Sequence, residues 1–100
     1  MSLSYGQHFM AHLRLAILRC LKDAPASSAN ASILKTVSQD LGLPATRDQV
    51  NTAIGWLAEQ GLVNRSELGA MVIATLLDRG LDVAEGRARV DGVARPDLGG

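Results

Sequence analysis

The chain is poor in the residues that anchor most small-protein chemistry. It has one cysteine, one tryptophan, one tyrosine and one phenylalanine in 100 residues. A single cysteine, Cys20, excludes an internal disulfide and any multi-cysteine zinc site. It closes an apolar run and reads as a buried, inert thiol. With three aromatic residues, the core must be aliphatic, drawn from the Ala, Leu, Ile and Val that make up most of the 47% hydrophobic fraction. There is no excess of either charge: ten basic residues face ten acidic ones. A dedicated nucleic-acid binder carries a basic surplus, because phosphate contacts supply most of its sequence-independent affinity. Any nucleic-acid reading must therefore rest on a local patch. Nor does any apolar run approach the ~20 residues of a membrane span. The longest near the start, Leu15 to Leu18, is closed in by Arg14 and Arg19, whereas a signal-peptide core needs about 7–15 apolar residues. A cytoplasmic protein is expected.

What is present is order. A chain of this length makes one domain, burying roughly two-thirds of its unfolded surface. From Tyr5 to Asp23 the apolar residues Phe9, Leu13, Ile17 and Cys20 or Leu21 recur at spacings of three and four, predicting a helix. Met10, Leu15 and Leu18 lie off that stripe, so the helix is apolar over more than half its girth. Pro25 and the Ser27–Ser28 pair break the chain. Asn30 is a suitable N-cap for a second helix with Ile33, Leu34, Val37 and Leu41 as its apolar stripe and Gly42 as its stop. Thr46 and Gln49 have capping-box spacing and open a third helix, with Val50, Ala53, Ile54 and Leu57 inward and Trp56 flanking them against a sheet. After Gly61 the period falls to two. Residues 62–68 and 71–76 read as strands joined across Gly69-Ala70. Leu77 to Glu85 supplies a last short helix.

The expected fold is therefore mainly α with a small β-hairpin, a winged helix-turn-helix. It has a three-helix core, a two-stranded wing and a short C-terminal helix within residues 1–86. An extended or mobile tail follows at residues 87–100, where Gly, Arg, Pro and Asp dominate and no apolar period survives.

Several stretches resemble a known family. These are Arg14-Leu15-Ala16-Ile17-Leu18-Arg19, Arg47-Asp48-Gln49-Val50, Trp56 to Val63, Ala74 to Ala84, and Gly92-Val93-Ala94-Arg95-Pro96. Together they look like the small winged-helix proteins of Mu-like transposable prophages. The resemblance implies a winged-helix fold and a phage setting, with no activity attached. The junction between hairpin and last helix also resembles that of the MarR and PadR repressors, although Leu77 stands where those proteins usually carry threonine.

Three classes of function bear on this pattern of residues. As a DNA binder, the chain would present the outward residues of its third helix to the major groove. Arg47 suits guanine and Asn51 adenine, with Thr52 beside them. Lys35 on the preceding helix and Arg65 on the wing would touch phosphates. Asp48 and Glu59 oppose the phosphate field. As an enzyme it has little to offer. His8 and His12 are one helical turn apart but lack a third metal ligand nearby, and no nucleophile, base and orienting group converge. No cofactor is expected. As an interaction module, it would self-associate through its first and last helices, with Met10, Leu18, Leu77 and Leu81 as the contact, forming a homodimer. Duplex DNA and a second copy are thus the expected partners, with a phage or host protein as the alternative. A prophage transcriptional regulator is the first reading, and an adaptor that binds only protein is its rival.

Overall fold

In the computed structural model, which describes residues 2–96, four α-helices pack with one small three-stranded antiparallel sheet. Helix α1 (Tyr5–Asp23) begins at a capping box. The Ser4 hydroxyl accepts from the Gln7 amide at 3.2 Å, and the Gln7 carboxamide accepts from the Ser4 amide at 2.8 Å. Leu13, Ile17 and Leu21 face inward as their spacing requires, but Leu15 and Leu18 are buried too. The cause is position: α1 is packed by α2, α3, α4 and the sheet together, so its wide apolar girth is covered within one chain. No helix of the described residues is long and apolar enough to cross a membrane.

The segment expected to be a plain break is organised. Pro25–Ser27 form one 3-10 turn, with Ala26 and Ser27 both left-handed at φ 56° and 53°. Strand β1 (Ser28–Asn30) follows directly. The sheet thus has three strands rather than the two of the expected wing. Its order is β1-β3-β2, with β2 (Val63–Leu68) and β3 (Met71–Leu76) forming the hairpin. Ser-Ala-Asn holds no β-branched or aromatic residue, so nothing local announces a strand. It forms because β3 offers an open edge. The Ser28 hydroxyl meets Thr75 Oγ1 at 3.0 Å and Ala74 O at 3.3 Å, and β1 covers main-chain groups that would otherwise be bare.

Asn30 ends β1 and caps α2 (Ala31–Asp40), its side chain accepting from the Ile33 amide at 2.9 Å. The buried row of α2 is Ala31, Leu34 and Ser38, not the expected stripe. Ile33 and Leu41 are 51% and 62% exposed. The helix is rolled because Ser38 is small and its hydroxyl donates to Leu34 O at 2.8 Å, which satisfies the polar group in the core. Both α2 and α3 (Arg47–Glu59) then close in the same way. At the first, Gly42 N–H donates to Gln39 O and Leu43 N–H to Ser38 O; at the second, Gly61 donates to Ala58 O and Leu62 to Leu57 O. These are Schellman pairs, and each needs a left-handed residue where the glycine stands, here at φ 82° and 74°.

Helix α3 starts at the capping box read from the sequence, Thr46 with Gln49, and buries Val50, Ala53, Ile54 and Leu57. The hairpin turns at Gly69-Ala70, pairing Leu68 with Met71. Helix α4 (Asp78–Ala84) comes so close to the end of α3 that a Cβ on Gly80 would stand 2.1 Å from Leu62 O. Beyond it, Ala88, Val90 and Val93 pack against the core, and the Ala94 amide donates to Ala11 O at 3.1 Å. The last part of the tail, residues 97–100, lies outside the described residues. The architecture is compatible with a winged helix.

Candidate nucleic-acid interface

The candidate face is built on α3. Four inner residues of this helix are fully buried, so its roll is fixed and its other side must face outward. Arg47, Asp48 and Thr52 are exposed there, and Asn51 and Gly55 are half-buried. Nothing approaches the position that a Gly55 side chain would take, so the backbone of α3 is open at its middle.

Arg47 also ties two helices together. Its Nη2 donates to Ser32 Oγ, in the first turn of α2, at 3.0 Å. Lys35 lies one turn along α2 from Ser32 and so shares that side of the helix. The Arg47–Ser32 hydrogen bond thus joins the start of α3 to the first turn of α2, while Thr52 stands further along the exposed side of α3. Asn51 is placed differently. Its Oδ1 is buried and accepts no hydrogen bond. That oxygen is the half of the amide that would accept from the adenine amino group, and it does not face solvent.

Arg65 stands on β2, on the same strand face as Val63, which is buried, and Glu67. Its Nη2 meets Glu67 Oε1 at 2.9 Å, an exposed pair. Glu67 is a residue the sequence reading passed over, although two residues apart on a strand means a shared face. The acids Asp48, Glu59 and Glu67 match Lys35, Arg47 and Arg65 one for one. At the hairpin tip, Leu68 is 70% and Met71 46% exposed.

Three further arginines, Arg14, Arg79 and Arg87, are held within the molecule. Arg14 lies over the Trp56 ring, 4.1 Å from its centroid, and donates through Nη1 to Gly92 O at 2.9 Å. Burial lowers the Arg14 pKa from its ordinary value, and its Nε–H has no acceptor. Arg79 donates to Gln60 O. Arg87 bridges Asp82 and Glu85 at the end of α4. Its hydrogen bonds to Glu85 and Asp82 raise the Arg87 pKa, and the Arg87 hydrogen bond in turn lowers that of Glu85. The partner that covers Trp56 was not legible beforehand, since Arg14, Trp56 and Gly92 are far apart in sequence.

Of the expected self-association residues, Leu18 is fully buried in this chain's own core and is closed to a partner. Met10 and Leu81 are half-buried, and Leu77 is 40% exposed. His8 and His12 are exposed on α1, and among the described residues no group of three or more His, Cys, Asp or Glu stands close enough to hold a metal ion.

With that geometry in view, comparison with known proteins finds one clear relative. Over 83 residues the chain is 51% identical to gp26 of Escherichia phage Mu, an uncharacterized protein, covering 83% of this chain and 85% of that one. The chain belongs to the phage Mu gp26 family. The match supports the resemblance to Mu-like phage proteins at the level of the family. No family model and no solved structure matches this chain.

Proposed function

We propose that this phage protein is a winged-helix DNA-binding module that works in the host cytoplasm as a transcriptional regulator. It is a binding module rather than an enzyme. One observation carries the reading: α2, a short turn and α3 are followed directly by a hairpin, and the outer row of α3 is free beside it. That is the arrangement in which a second helix enters the major groove and a hairpin lies along the flanking backbone. The edge strand β1 completes the sheet and leaves the hairpin tip free.

Arg47 and Thr52 read bases in this scheme, and Lys35 and Arg65 hold phosphates. Asn51 contributes only after its carboxamide turns outward. The two phosphate-holding cations give a salt slope of about −2 in log K against log salt, and affinity in the range of about 10⁻⁴ to 10⁻⁶ M for non-specific duplex. The test is fluorescence anisotropy of labelled duplex DNA at low ionic strength. The intact protein binds with that slope, and an Arg47→Ala, Arg65→Ala double variant loses at least ~10-fold in affinity while its Tm holds. Unchanged binding by the double variant removes the site assignment. No salt-sensitive binding at tens of micromolar removes the regulator.

A second reading is a protein-only adaptor in phage development. The Arg65–Glu67 pair and the exposed apolar tip, Leu68 with Met71, favour it. Under that reading Leu68→Asp abolishes partner capture, and the Arg47→Ala, Arg65→Ala variant is silent.

A further inference from the structure

We infer that the outer edge of β2 is a contact surface for a second copy of this chain, the two β2 strands pairing antiparallel about a two-fold axis at Ser66. The sheet closes its two edges unequally. Strand β1 covers the far side of β3, whereas β2 has no neighbour on its outer side among the described residues. From Asn64 to Leu68 every residue of β2 is exposed. The register shows which main-chain groups are left open. Just before the strand, the Leu77 amide donates to Leu62 O at 3.1 Å, so the even-numbered residues of β2 turn their N–H and C=O toward β3. Alternation then turns those of Arg65 and Glu67 outward, and neither has a main-chain partner there among the described residues. An open edge of this kind is a template for another strand, and lysine, proline or a bulge is the usual guard. The stretch from Val63 to Leu68 has none of the three, and it pairs with β3 in unbroken register.

The charges of the strand say which partner. Antiparallel pairing about Ser66 sets Arg65 opposite the second copy's Glu67, and Glu67 opposite its Arg65. Each contact then occurs twice, as an isologous interface requires. These are also the two residues whose main-chain groups face outward, so each such pair exchanges both of its N–H···O bonds. Directly opposed residues share a face of the sheet, and opposite charges placed there attract. Arg65 already meets Glu67 of its own strand at 2.9 Å, with both side chains exposed, and the axis joins two such pairs into a cluster of alternating sign. Moving the axis by one residue, to Arg65 or to Glu67, would oppose like charges instead. The edge therefore matches itself, in charge and in bonding, at one register. This surface differs from the expected one: Met10, Leu18, Leu77 and Leu81 do not lie on β2. The pairing is measured without DNA, so its failure and that of the DNA reading are distinguishable.

Sedimentation velocity on the full chain, from about 10 to 500 μM, tests this, because an edge this short associates weakly. The 10.6 kDa chain should move toward twice its mass as concentration rises. Over the same range, hydrogen exchange at the Arg65 and Glu67 amides should slow, while the Asn64 and Ser66 amides, turned toward β3, should not change. Arg65→Glu opposes like charges twice and should weaken association about 10-fold. Adding Glu67→Arg to the same chain should restore it, because the exchange keeps every opposed pair. Glu67→Pro removes an outward N–H and no bond to β3, so it should abolish association while the hairpin persists. Leu41→Glu, in the apolar groove between α1 and α2, should leave the mass unchanged. A single-chain mass at every concentration overturns the proposal, as does a dimer indifferent to Glu67→Pro or lost with Leu41→Glu. No loss with Arg65→Glu, or loss without rescue by Glu67→Arg, overturns the register about Ser66.

Discussion

The arginines on the two sides of the molecule are held in different ways. On the C-terminal side, Arg14 and Arg79 each reach a backbone carbonyl that joins one element to another: α1 to the tail, and α4 to the end of α3. On the α3–hairpin side, Arg47 and Arg65 each have one exposed partner, a serine hydroxyl and a glutamate two residues away. Freeing the first kind opens the structure. Freeing the second kind costs little, because an exposed ion pair contributes only ~0–1 kcal/mol. Cations of the second kind can be handed to a phosphate without unfolding anything.

Substitutions on each side can break or sharpen this contrast. The largest effect is expected from Gly80→Ala, which drives a methyl against the Leu62 carbonyl. With backbone on one side, no flexible group can yield, so a loss of at least about 3 kcal/mol is expected. For a chain of this length that lowers Tm by more than ~10 °C by calorimetry. A wild-type Tm would remove the close α4 contact from the account.

Gly92→Ala comes next. Its φ of +100° and its closeness to Trp56, 2.7 Å from a would-be Cβ, both oppose a side chain. A loss of about 1–2 kcal/mol is expected, with faster hydrogen exchange at the Ala94 amide, which donates to Ala11 O. Slow exchange in the variant would mean that Arg14 and Gly92 do not hold the tail.

Acid acts more locally. Glu85 has a lowered pKa because Arg87 donates to it. The contact therefore stabilises above the ordinary carboxylate range and is lost as pH falls through the lowered folded-state value. Amides around Arg87 should lose protection there while those of α3 keep theirs, as pH-dependent exchange would reveal. The smallest effect belongs to Arg65→Ala, whose thermal unfolding should fall within about 0.5 kcal/mol of the parent. A larger loss would place Arg65 with the structural arginines and end the contrast.

Local signals carried most of the fold. The Thr46–Gln49 box, the Asn30 cap, and the glycines at 42, 61 and 69 act within a few residues of themselves, and each marks an element end in the structure. The failures have one physical cause. Strand β1 exists because β3 has an edge to cover, and the roll of α2 follows from Ser38 entering the core. Neither can be read from a window of sequence. The same holds for Leu18, which counted as surplus on an isolated helix and is core in the folded one. The candidate face was half legible. Its outward residues followed from the period of α3, whereas the inward Asn51 oxygen depends on packing, and the Arg65–Glu67 pair was available from strand alternation but was passed over.

The central claim, that the α3–hairpin face reads duplex DNA, is most directly tested by titrating a short duplex into isotopically labelled protein at low salt and following amide shifts by NMR. The account predicts shifts confined to α3 from Arg47 to Gly55, to the side of α2 bearing Ser32 and Lys35, and to the hairpin around Arg65. An absence of shifts at that face, or shifts that fall only along the α1–α2 groove, would contradict it.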